Sequence, residues 1–347
     1  MSLVLPFKDW PAADRAMWAA LRQPGGPFDD RGALAHLRET SVQTLAKRYG
    51  RWLEWLRRTD PTALDEPPSE RVTLPRLKAW LEDLVHTRPM TRLMFVDGLL
   101  RVASAAAPEA DWTRHRRVKA HLKHAAGRGD QARKAGRILS SRVLLEAGVR
   151  HAGPEAEGAA TPLQQAIRQR DGTLVAFLAM IPIRRRALTG LRIGETLIVT
   201  ADELVLALPG VLTKNDLPFE GGIAEPTAGL LRRYLEETRP FLMSRRHPQR
   251  HDWLWVGDDG RPLSYGWIGP KVAGITKRLT GKHIPPHFFR YAAATTLTHE
   301  SPDAARMIGP LLGHTATGTA ERHYIQARSI EVTGHYASVI RNLRRQR

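Results

Sequence analysis

The sequence contains no cysteine. A chain without thiols forms no disulfide bonds, holds no zinc ion or iron–sulfur cluster through thiolates and has no cysteine nucleophile. Long apolar runs are missing too, because none approaches the roughly 20 residues that a membrane-spanning helix needs. Residues 1–10 also lack the pattern of a signal peptide. We therefore expect a cytoplasmic protein with no membrane partner.

Acidic residues are scarce compared with basic ones. The 347 residues include 53 lysines and arginines against 35 aspartates and glutamates, so the formal net charge is +18. Because 42% of the residues are hydrophobic, the composition is that of a folded chain rather than of a disordered basic tail. An excess of this size indicates a polyanionic partner, most simply nucleic acid. A surface made rich in arginine by genome composition is the alternative.

Sequence motifs for nucleotide, metal and serine-hydrolase chemistry are also missing. The nearest match to a phosphate-binding loop runs from Gly274 to Lys282, but its glycines are too far apart. In addition, His283 stands where a serine or threonine would ligate magnesium. Neither an H-E-x-x-H pair nor a G-x-S-x-G turn occurs. We therefore expect no cofactor and no metal ion.

The first third of the sequence has the pattern of a small bundle of about four helices. Apolar residues recur every three or four positions over residues 42–56, which predicts one buried helix face with Thr40 or Ser41 as the N-cap. Two further helices are predicted over residues 74–86 and 91–106. No strand pattern interrupts this part, which predicts an all-helical N-terminal domain.

A strongly basic tract follows at residues 114–137, with nine lysines or arginines and one acid, Asp130. Such a tract suits a linker that lies against phosphates, and a solvated helix face joined to a hinge is the alternative. We place the domain boundary here, with a helical domain over 1–126, a linker over 127–140 and a second domain over 141–347. The residues assigned to DNA binding are Arg114, Arg116, Arg117, Lys119, Lys123, Arg128, Arg133 and Lys134.

The second part of the sequence mixes helices with a few strands. Helices are predicted over residues 163–181, 226–241, 267–279, 288–299 and 301–312. Two short strands are predicted over residues 196–200 and 203–208, followed by a turn, and residues 253–256 form a further extended segment. Strands do not alternate with helices, so the prediction is a mainly helical α+β fold with a small antiparallel sheet.

Residues suited to phosphodiester chemistry stand in three motifs of the second part and at two positions upstream. The motifs are an H-x-x-R helix start, the sequence L-L-G-H and a tyrosine ten residues after that histidine. The candidate residues are Arg184, Lys214, His287, Arg290, His314 and Tyr324.

These residue types together support cleavage of a phosphodiester without a metal ion. Two guanidinium groups stabilise the negative charge that develops on the phosphate oxygens. A lysine protonates the leaving 5′ oxygen, and histidines accept the phenol proton or hold the phosphate. The product is a phosphotyrosyl ester, which conserves the bond energy, so that strands are rejoined without ATP.

This combination of motifs resembles the tyrosine recombinase family of the phage integrase type, most strongly over residues 177–327. The resemblance implies that Arg184 is the first catalytic arginine and that Lys214 is the general acid on a β-hairpin. It further implies that Tyr324 is the nucleophile. The remaining members that it implies are His287, Arg290 and His314.

Two of these assignments have rivals. Arg192 follows Gly-Leu and so matches the family's usual G-L-R motif, but the leucines that follow Arg184 reproduce the family's spacing, and we prefer Arg184. Tyr336 is the rival nucleophile. It lies 22 residues beyond His314, whereas Tyr324 lies ten residues beyond it, and we prefer Tyr324.

The resemblance also implies the architecture and the partners. It implies an N-terminal core-binding domain of the SAM-like type, a C-terminal catalytic domain and a site-specific recombinase that acts through a 3′-phosphotyrosyl intermediate. The implied partners are double-stranded DNA with paired recombination sites and three further copies of the chain. The implied location is the nucleoid. Participation of accessory DNA-bending proteins stays open. The alternatives to a recombinase are a catalytically silent DNA-binding protein and a DNA-relaxing topoisomerase of the IB-like type.

The C-terminal tail, residues 329–347, has apolar residues at helical spacing, among them Val332, Tyr336 and Ile340. The family resemblance implies that this stripe docks on a neighbouring protomer. Packing on its own domain explains the same pattern equally well, so both alternatives stay open.

Overall fold

The structure is a computed structural model of the chain. The residues described are 3–127, 136–213, 216–245, 250–300, 307, 311–312 and 319–345, with 298–300 and 319–331 described by their backbone only. The chain forms two compact units, Met1–Gln131 and Ala132–Arg347. The boundary between these units lies inside the predicted linker, residues 127–140.

The N-terminal unit is helical throughout its described part. Its helices are α1 (Ala12–Arg22), α2 (Glu39–Thr59), α3 (Leu74–Asp83), α4 (Pro89–Ala106) and α5 (Thr113–Ala126). The predicted apolar face of α2 is buried from Val42 to Leu56. The predicted N-cap is wrong, because the carbonyl of Arg38 already accepts the first helical hydrogen bonds. Thr40 and Ser41 consequently lie inside the first turn.

The core of the N-terminal unit is built from aromatic rings around a buried ion pair. Trp52 stacks on Trp55 and contacts Trp80 edge to face, with ring centroids 5.1 Å apart in both pairs. Asp14 accepts hydrogen bonds from the guanidinium of Arg71 at 2.9 and 3.1 Å and from a tyrosine hydroxyl at 2.6 Å. Both charged side chains are fully buried, and the guanidinium also donates to the carbonyl oxygens of Leu64 and Glu66, so the pair and its hydrogen bonds together stabilise the two charges.

The basic tract begins as a helix rather than as a linker. Helix α5 covers residues 113–126, and no residue of α5 is buried. Of the two alternatives for the tract, the structure therefore shows the solvated helix over residues 113–126, within the predicted helical domain. A helix with a fully solvated basic face lacks the apolar periodicity that would have predicted it. The second half, from Arg128 to Lys134, lies outside the described residues.

The C-terminal unit is mainly helical with a small sheet. Its helices are α6 (Ser141–Ala152), α7 (Pro154–Glu157), α8 (Pro162–Met180), α9 (Arg185–Thr189), α10 (Thr227–Arg233), α11 (Arg239–Ser244), α12 (Tyr265–Thr280), α13 (Pro286–Glu300) and α14 (Thr319–Arg345). The strands are β1 (Leu197–Val199), β2 (Leu204–Leu208) and β3 (Phe219–Gly222). They pair antiparallel in the order β1-β2-β3, with Ile198 opposite Val205 and Leu206 opposite Gly221.

Helices α6 and α8 pack closely at the centre of the C-terminal unit. A Cβ atom on Gly148 of α6 would lie 2.6 Å from the backbone nitrogen of Ala176, and one on Gly172 of α8 would lie 2.4 Å from that of Ala152. Both distances are shorter than van der Waals contact, so only glycine allows this approach. From Gly172 to Met180 every residue of α8 is buried, and residue Pro182, just beyond this helix, leads into the segment of Arg184.

The described part of the C-terminal tail packs on its own domain. Val332, Tyr336 and Ile340 of α14 are buried in the core of the C-terminal unit. Helix α14 lies against β3, where a Cβ atom on Gly221 would come within 2.7 Å of the hydroxyl of Thr333. Of the two alternatives for the apolar stripe, the structure therefore shows packing within the same chain.

The fold is a mainly helical α+β fold with a three-stranded antiparallel sheet, as the sequence predicts. The third strand was not predicted individually. In the part of the chain that the structure describes, no helix is both long enough and apolar enough to cross a membrane.

The buried ion pair of the N-terminal unit leads to a prediction for stability. Asp14→Ala leaves the guanidinium of Arg71 buried without its carboxylate, and we expect the free energy of unfolding to fall by about 3–5 kcal/mol. Urea denaturation followed by tryptophan fluorescence measures this change. The exposed Asp30 provides the control, since Asp30→Ala is expected to change the free energy by less than about 0.5 kcal/mol. A loss below about 1 kcal/mol for Asp14→Ala would contradict the assignment.

Candidate active site

Arg290 joins three of the predicted motif segments. It lies near the start of α13, and its guanidinium donates a hydrogen bond of 2.9 Å to the carbonyl oxygen of Pro182 and another to that of Leu312. Pro182 precedes Arg184 by two residues, and Leu312 precedes His314 by two residues. The segments that contain the first arginine, the H-x-x-R pair and the L-L-G-H sequence therefore meet at one side chain.

Arg184 supplies a second positive charge near Arg290. It lies immediately before α9, where its carbonyl accepts a 2.9 Å hydrogen bond from the backbone of Leu188. Burial, and next the positive charge of Arg184, lower the pKa of Arg290 to about 10. Burial lowers the pKa of Arg184 as well. Both guanidinium groups stay cationic at neutral pH, because arginine retains its proton in proteins.

No carboxylate compensates this pair of charges among the residues that the structure describes. Arg184 forms no hydrogen bond or ion pair through its side chain there, and Arg290 donates only to carbonyl oxygens. Arg170 shows the opposite arrangement in the same unit, because it is fully buried but pairs with Asp171 at 2.7 Å and with Asp258 at 2.6 Å. Two partly buried cations without an acid form an environment that an anion such as a phosphate stabilises.

Arg192, the rival first arginine, is engaged in a different site. Its guanidinium lies 3.5 Å from a carboxylate oxygen of Glu195 and 3.3 Å from one of Asp252. It also stacks over the ring of Trp253 at 4.3 Å from the ring centroid. These partners neutralise its charge and tie the segment before β1 to residues 252–253, which is a structural role.

His287 and Arg185 lie close in sequence to the two arginines. The side chain of His287 is exposed at the start of α13, and its ring contacts the ring of Phe288 edge to face at 4.8 Å. The guanidinium of Arg185 stacks on Tyr265 at 3.8 Å from the ring centroid. Thus His287 is accessible from solvent, whereas Arg185 has an aromatic partner within the protein.

The other three predicted catalytic side chains are outside the described part of the structure. Lys214 lies in the connection between β2 and β3, between the described residues Thr213 and Asp216. His314 follows Leu312 by two residues. For Tyr324 only the backbone is described, and it is helical in α14. The roles of these three residues stay predictions.

Tyr336, the rival nucleophile, is inaccessible. It is fully buried, and its hydroxyl donates to the carbonyl oxygen of Ala179 at 2.7 Å and lies 2.6 Å from the hydroxyl oxygen of Ser141. Burial raises the pKa of Tyr336 well above its usual range. A phenol that is both buried and hard to ionise cannot reach a phosphodiester or attack it at neutral pH.

The predicted DNA-binding residues divide into three groups. Exposed on α5 are Arg114, Arg116, Arg117 and Lys123. Lys119 is on the same helix, but its ammonium lies 3.3 Å from a carboxylate oxygen of Asp97, so its charge is partly neutralised. Outside the described residues are Arg128, Arg133 and Lys134.

Two features of the site could not be identified from the sequence. The carbonyl oxygens of Pro182 and Leu312 bind Arg290, and backbone acceptors have no residue-type signal. Arg137, which was not among the candidate site residues, lies against the segment that precedes His287. Within the described residues, no three histidine, aspartate or glutamate side chains cluster as a metal site requires.

Comparison with known proteins gives two curated relatives. The chain is 32% identical over 142 residues to tyrosine recombinase XerC of Staphylococcus carnosus strain TM300, covering 39% of this chain and 45% of the relative. It is 32% identical over 136 residues to tyrosine recombinase XerD of Lacticaseibacillus casei, covering 38% and 45%. No protein-family model matches the chain.

The fold is also similar to that of a solved recombinase. The crystal structure of the XerH site-specific recombinase, bound to a palindromic difH substrate in a post-cleavage complex, superposes with a TM-score of 0.52. The two chains are 14% identical, and the superposition covers 95% of this chain and 99% of XerH.

Over about 140 residues the chain is therefore similar to curated tyrosine recombinases. This confirms the resemblance that the motifs indicate. The matched segments span less than half the length of the XerC and XerD relatives, and the similarity to XerH concerns the fold.

The buried hydrogen bonds of the Tyr336 hydroxyl predict that its removal destabilises the protein. We expect Tyr336→Phe to lower the free energy of unfolding by about 1–3 kcal/mol, because the carbonyl of Ala179 loses its buried donor. The exposed neighbour provides the control, since His335→Ala is expected to change the free energy by less than about 0.5 kcal/mol. Denaturant titration measures both. An unchanged stability of Tyr336→Phe would mean that these hydrogen bonds do not form.

Arg184 and Arg192 are the two candidates for the first catalytic arginine. Their replacement is expected to change the stability of the protein in opposite directions. Arg184→Met removes a partly buried cation that repels Arg290, so we expect the unfolding free energy to rise by about 0.5–2 kcal/mol. Arg192→Met removes a stacked guanidinium with two ion pairs, so we expect a fall of about 1 kcal/mol. Thermal and urea unfolding of both variants tests this contrast, and a clear loss of stability in Arg184→Met would argue against an uncompensated site.

Proposed function

We propose that this chain, which is similar to tyrosine recombinases, is a site-specific recombinase that cuts and rejoins DNA strands through a 3′-phosphotyrosyl intermediate, without a metal ion or ATP. The observation that carries the proposal is the pair of Arg184 and Arg290 at the point where three motif segments meet. Two cations without an acidic partner are suited to the charge that develops on a phosphodiester during nucleophilic attack.

The proposed reaction begins when the phenol oxygen of Tyr324 attacks the phosphorus atom. A bond forms between that oxygen and phosphorus, and the bond from phosphorus to the 5′ oxygen breaks. A histidine, His287 or His314, accepts the phenol proton, and Lys214 donates a proton to the leaving 5′ oxygen. Arg184 and Arg290 bind the non-bridging oxygens throughout. Rejoining is the reverse reaction with a 5′ hydroxyl of the partner strand, so no external energy source enters.

The proposed partner is double-stranded DNA with paired sites, bound by four copies of the chain. The net charge of +18 and the exposed arginines of α5 support binding to phosphates. The XerH structure contains that recombinase bound to its difH substrate, which supports a DNA substrate for a chain of the same fold. Affinity from such contacts falls steeply as the salt concentration rises.

The nucleophile gives the decisive prediction. Duplexes that tile the DNA flanking the gene, each with a nick that traps the cleaved state, are incubated with the protein in EDTA and resolved on a denaturing gel. We expect a covalent adduct whose peptide contains Tyr324, because only a chemical bond survives denaturation. Tyr324→Phe is expected to abolish the adduct, whereas Tyr336→Phe, the same substitution in the same helix, retains it at temperatures below its melting transition.

Three other outcomes would each replace the proposal. An adduct that persists in Tyr324→Phe would assign the nucleophile to another residue. Salt-sensitive binding to one of these duplexes without an adduct would identify a silent DNA-binding protein. Relaxation of supercoiled DNA without branched-junction intermediates would identify a topoisomerase of the IB-like type.

A further inference from the structure

The segment that leads into α13 is anchored to α12 on its buried side. Helix α12 ends at Thr280 and is capped by Gly281, which has a left-handed backbone with φ of 71°, and α13 begins at Pro286. Between them, the backbone N–H of Ile284 donates a 2.9 Å hydrogen bond to the hydroxyl of Thr276. Ile284 and Thr276 are both buried, so one side of the segment is held by the core.

On the other side, Arg137 holds the same segment through two contacts. Its guanidinium donates a 2.7 Å hydrogen bond to the carbonyl oxygen of His283. The same group lies over the ring of Phe288 at 4.8 Å from the centroid. Arg137 therefore binds the chain on both sides of the two prolines at which α13 begins.

The ring of Phe288 connects Arg137 to His287. The guanidinium lies over this ring. The centroid of the Phe288 ring lies 4.8 Å from that of the His287 ring, at an interplanar angle of 65°. A cation over an aromatic face and an edge-to-face ring pair are both favourable and both directional. Together they limit the orientations that the exposed His287 side chain adopts.

We infer that Arg137 is a positioning residue for His287, and this inference rests on the proposed function. Arg137 holds Phe288 and the preceding carbonyl in place, and Phe288 in turn orients the His287 imidazole toward the phosphate site. The role requires arginine, because a planar guanidinium stacks on a ring and donates in its own plane at the same time. A lysine ammonium keeps the charge but cannot do both.

A simple phosphate contact by Arg137 would behave differently. Loss of one phosphate contact weakens DNA binding and lowers the slope of log affinity against log salt by about 1. A lysine at this position would restore such a contact. A positioning role instead lowers the rate of cleavage in the saturated complex and leaves both the affinity and the salt slope unchanged.

The test uses a nicked duplex on which the wild-type protein forms its adduct. Single-turnover cleavage at saturating DNA, and binding over a range of salt concentrations, are measured for Arg137→Ala and Arg137→Lys. We expect both variants to cleave about 10- to 100-fold more slowly, since small displacements of a reacting group have effects of this size. The control is Arg150→Ala, near the end of α6, where an exposed arginine pairs with Glu155 at 2.7 Å; its cleavage is expected to be unchanged.

The inference would be overturned if Arg137→Ala cleaves saturating DNA at the wild-type rate, or if Arg137→Lys is fully active. In both cases the adduct of the wild-type protein would still support the proposed function. Absence of a wild-type adduct would reject both. A readout without DNA separates positioning from general instability. We expect the imidazole NMR resonances of His287 to shift in Arg137→Ala while the melting temperature stays near that of the wild-type protein, and unshifted resonances would contradict the contact chain.

Discussion

The carbonyl oxygens of Pro182 and Leu312 hold Arg290 from two sides, and the arrangement of the candidate site depends on these two hydrogen bonds. They are neutral acceptors, so they fix the guanidinium in a partly buried position without cancelling its charge. Arginine has five N–H donors, and these two hydrogen bonds are the ones that Arg290 donates among the described residues. Arg184 adds a second cation nearby, and no carboxylate among the described residues pairs with either guanidinium, which is the basis for proposing that the site binds an anion.

Much of the architecture could be predicted because its physical basis is visible in residue order. Helices α2 and α8 bury apolar residues, and their bounds differ from the predicted ones by only a few residues. The cations, histidines and tyrosine at family spacing also indicate metal-free phosphodiester transfer, which stays a prediction. The preference for Arg184 over Arg192 rests on spacing alone, and the structure adds a physical reason, because Arg192 has acidic partners whereas Arg184 has none among the described residues.

Other features depend on contacts between distant parts of the chain, which a linear pattern does not contain. Arg192 meets Asp252 across 60 residues, and the carbonyl acceptors of Arg290 have no sequence signal at all. A solvated helix and a linker stayed open as alternatives for the tract that contains α5, because a solvated basic helix and a basic linker have the same composition. Strand β3 ends in two glycines, which have low strand propensity. The apolar stripe of α14 predicts burial, but only the burial of Tyr336 against the same chain identifies the surface that it covers.

We propose that Arg184 and Arg290 form a binding site for a tetrahedral oxyanion. Crystals of the protein soaked in tungstate, with anomalous scattering recorded at the tungsten edge, test this directly. We expect an anomalous peak within hydrogen-bond distance of both guanidinium groups, and its loss in crystals of Arg184→Met. Tungstate bound at the exposed arginines of α5 but not between Arg184 and Arg290 would contradict it.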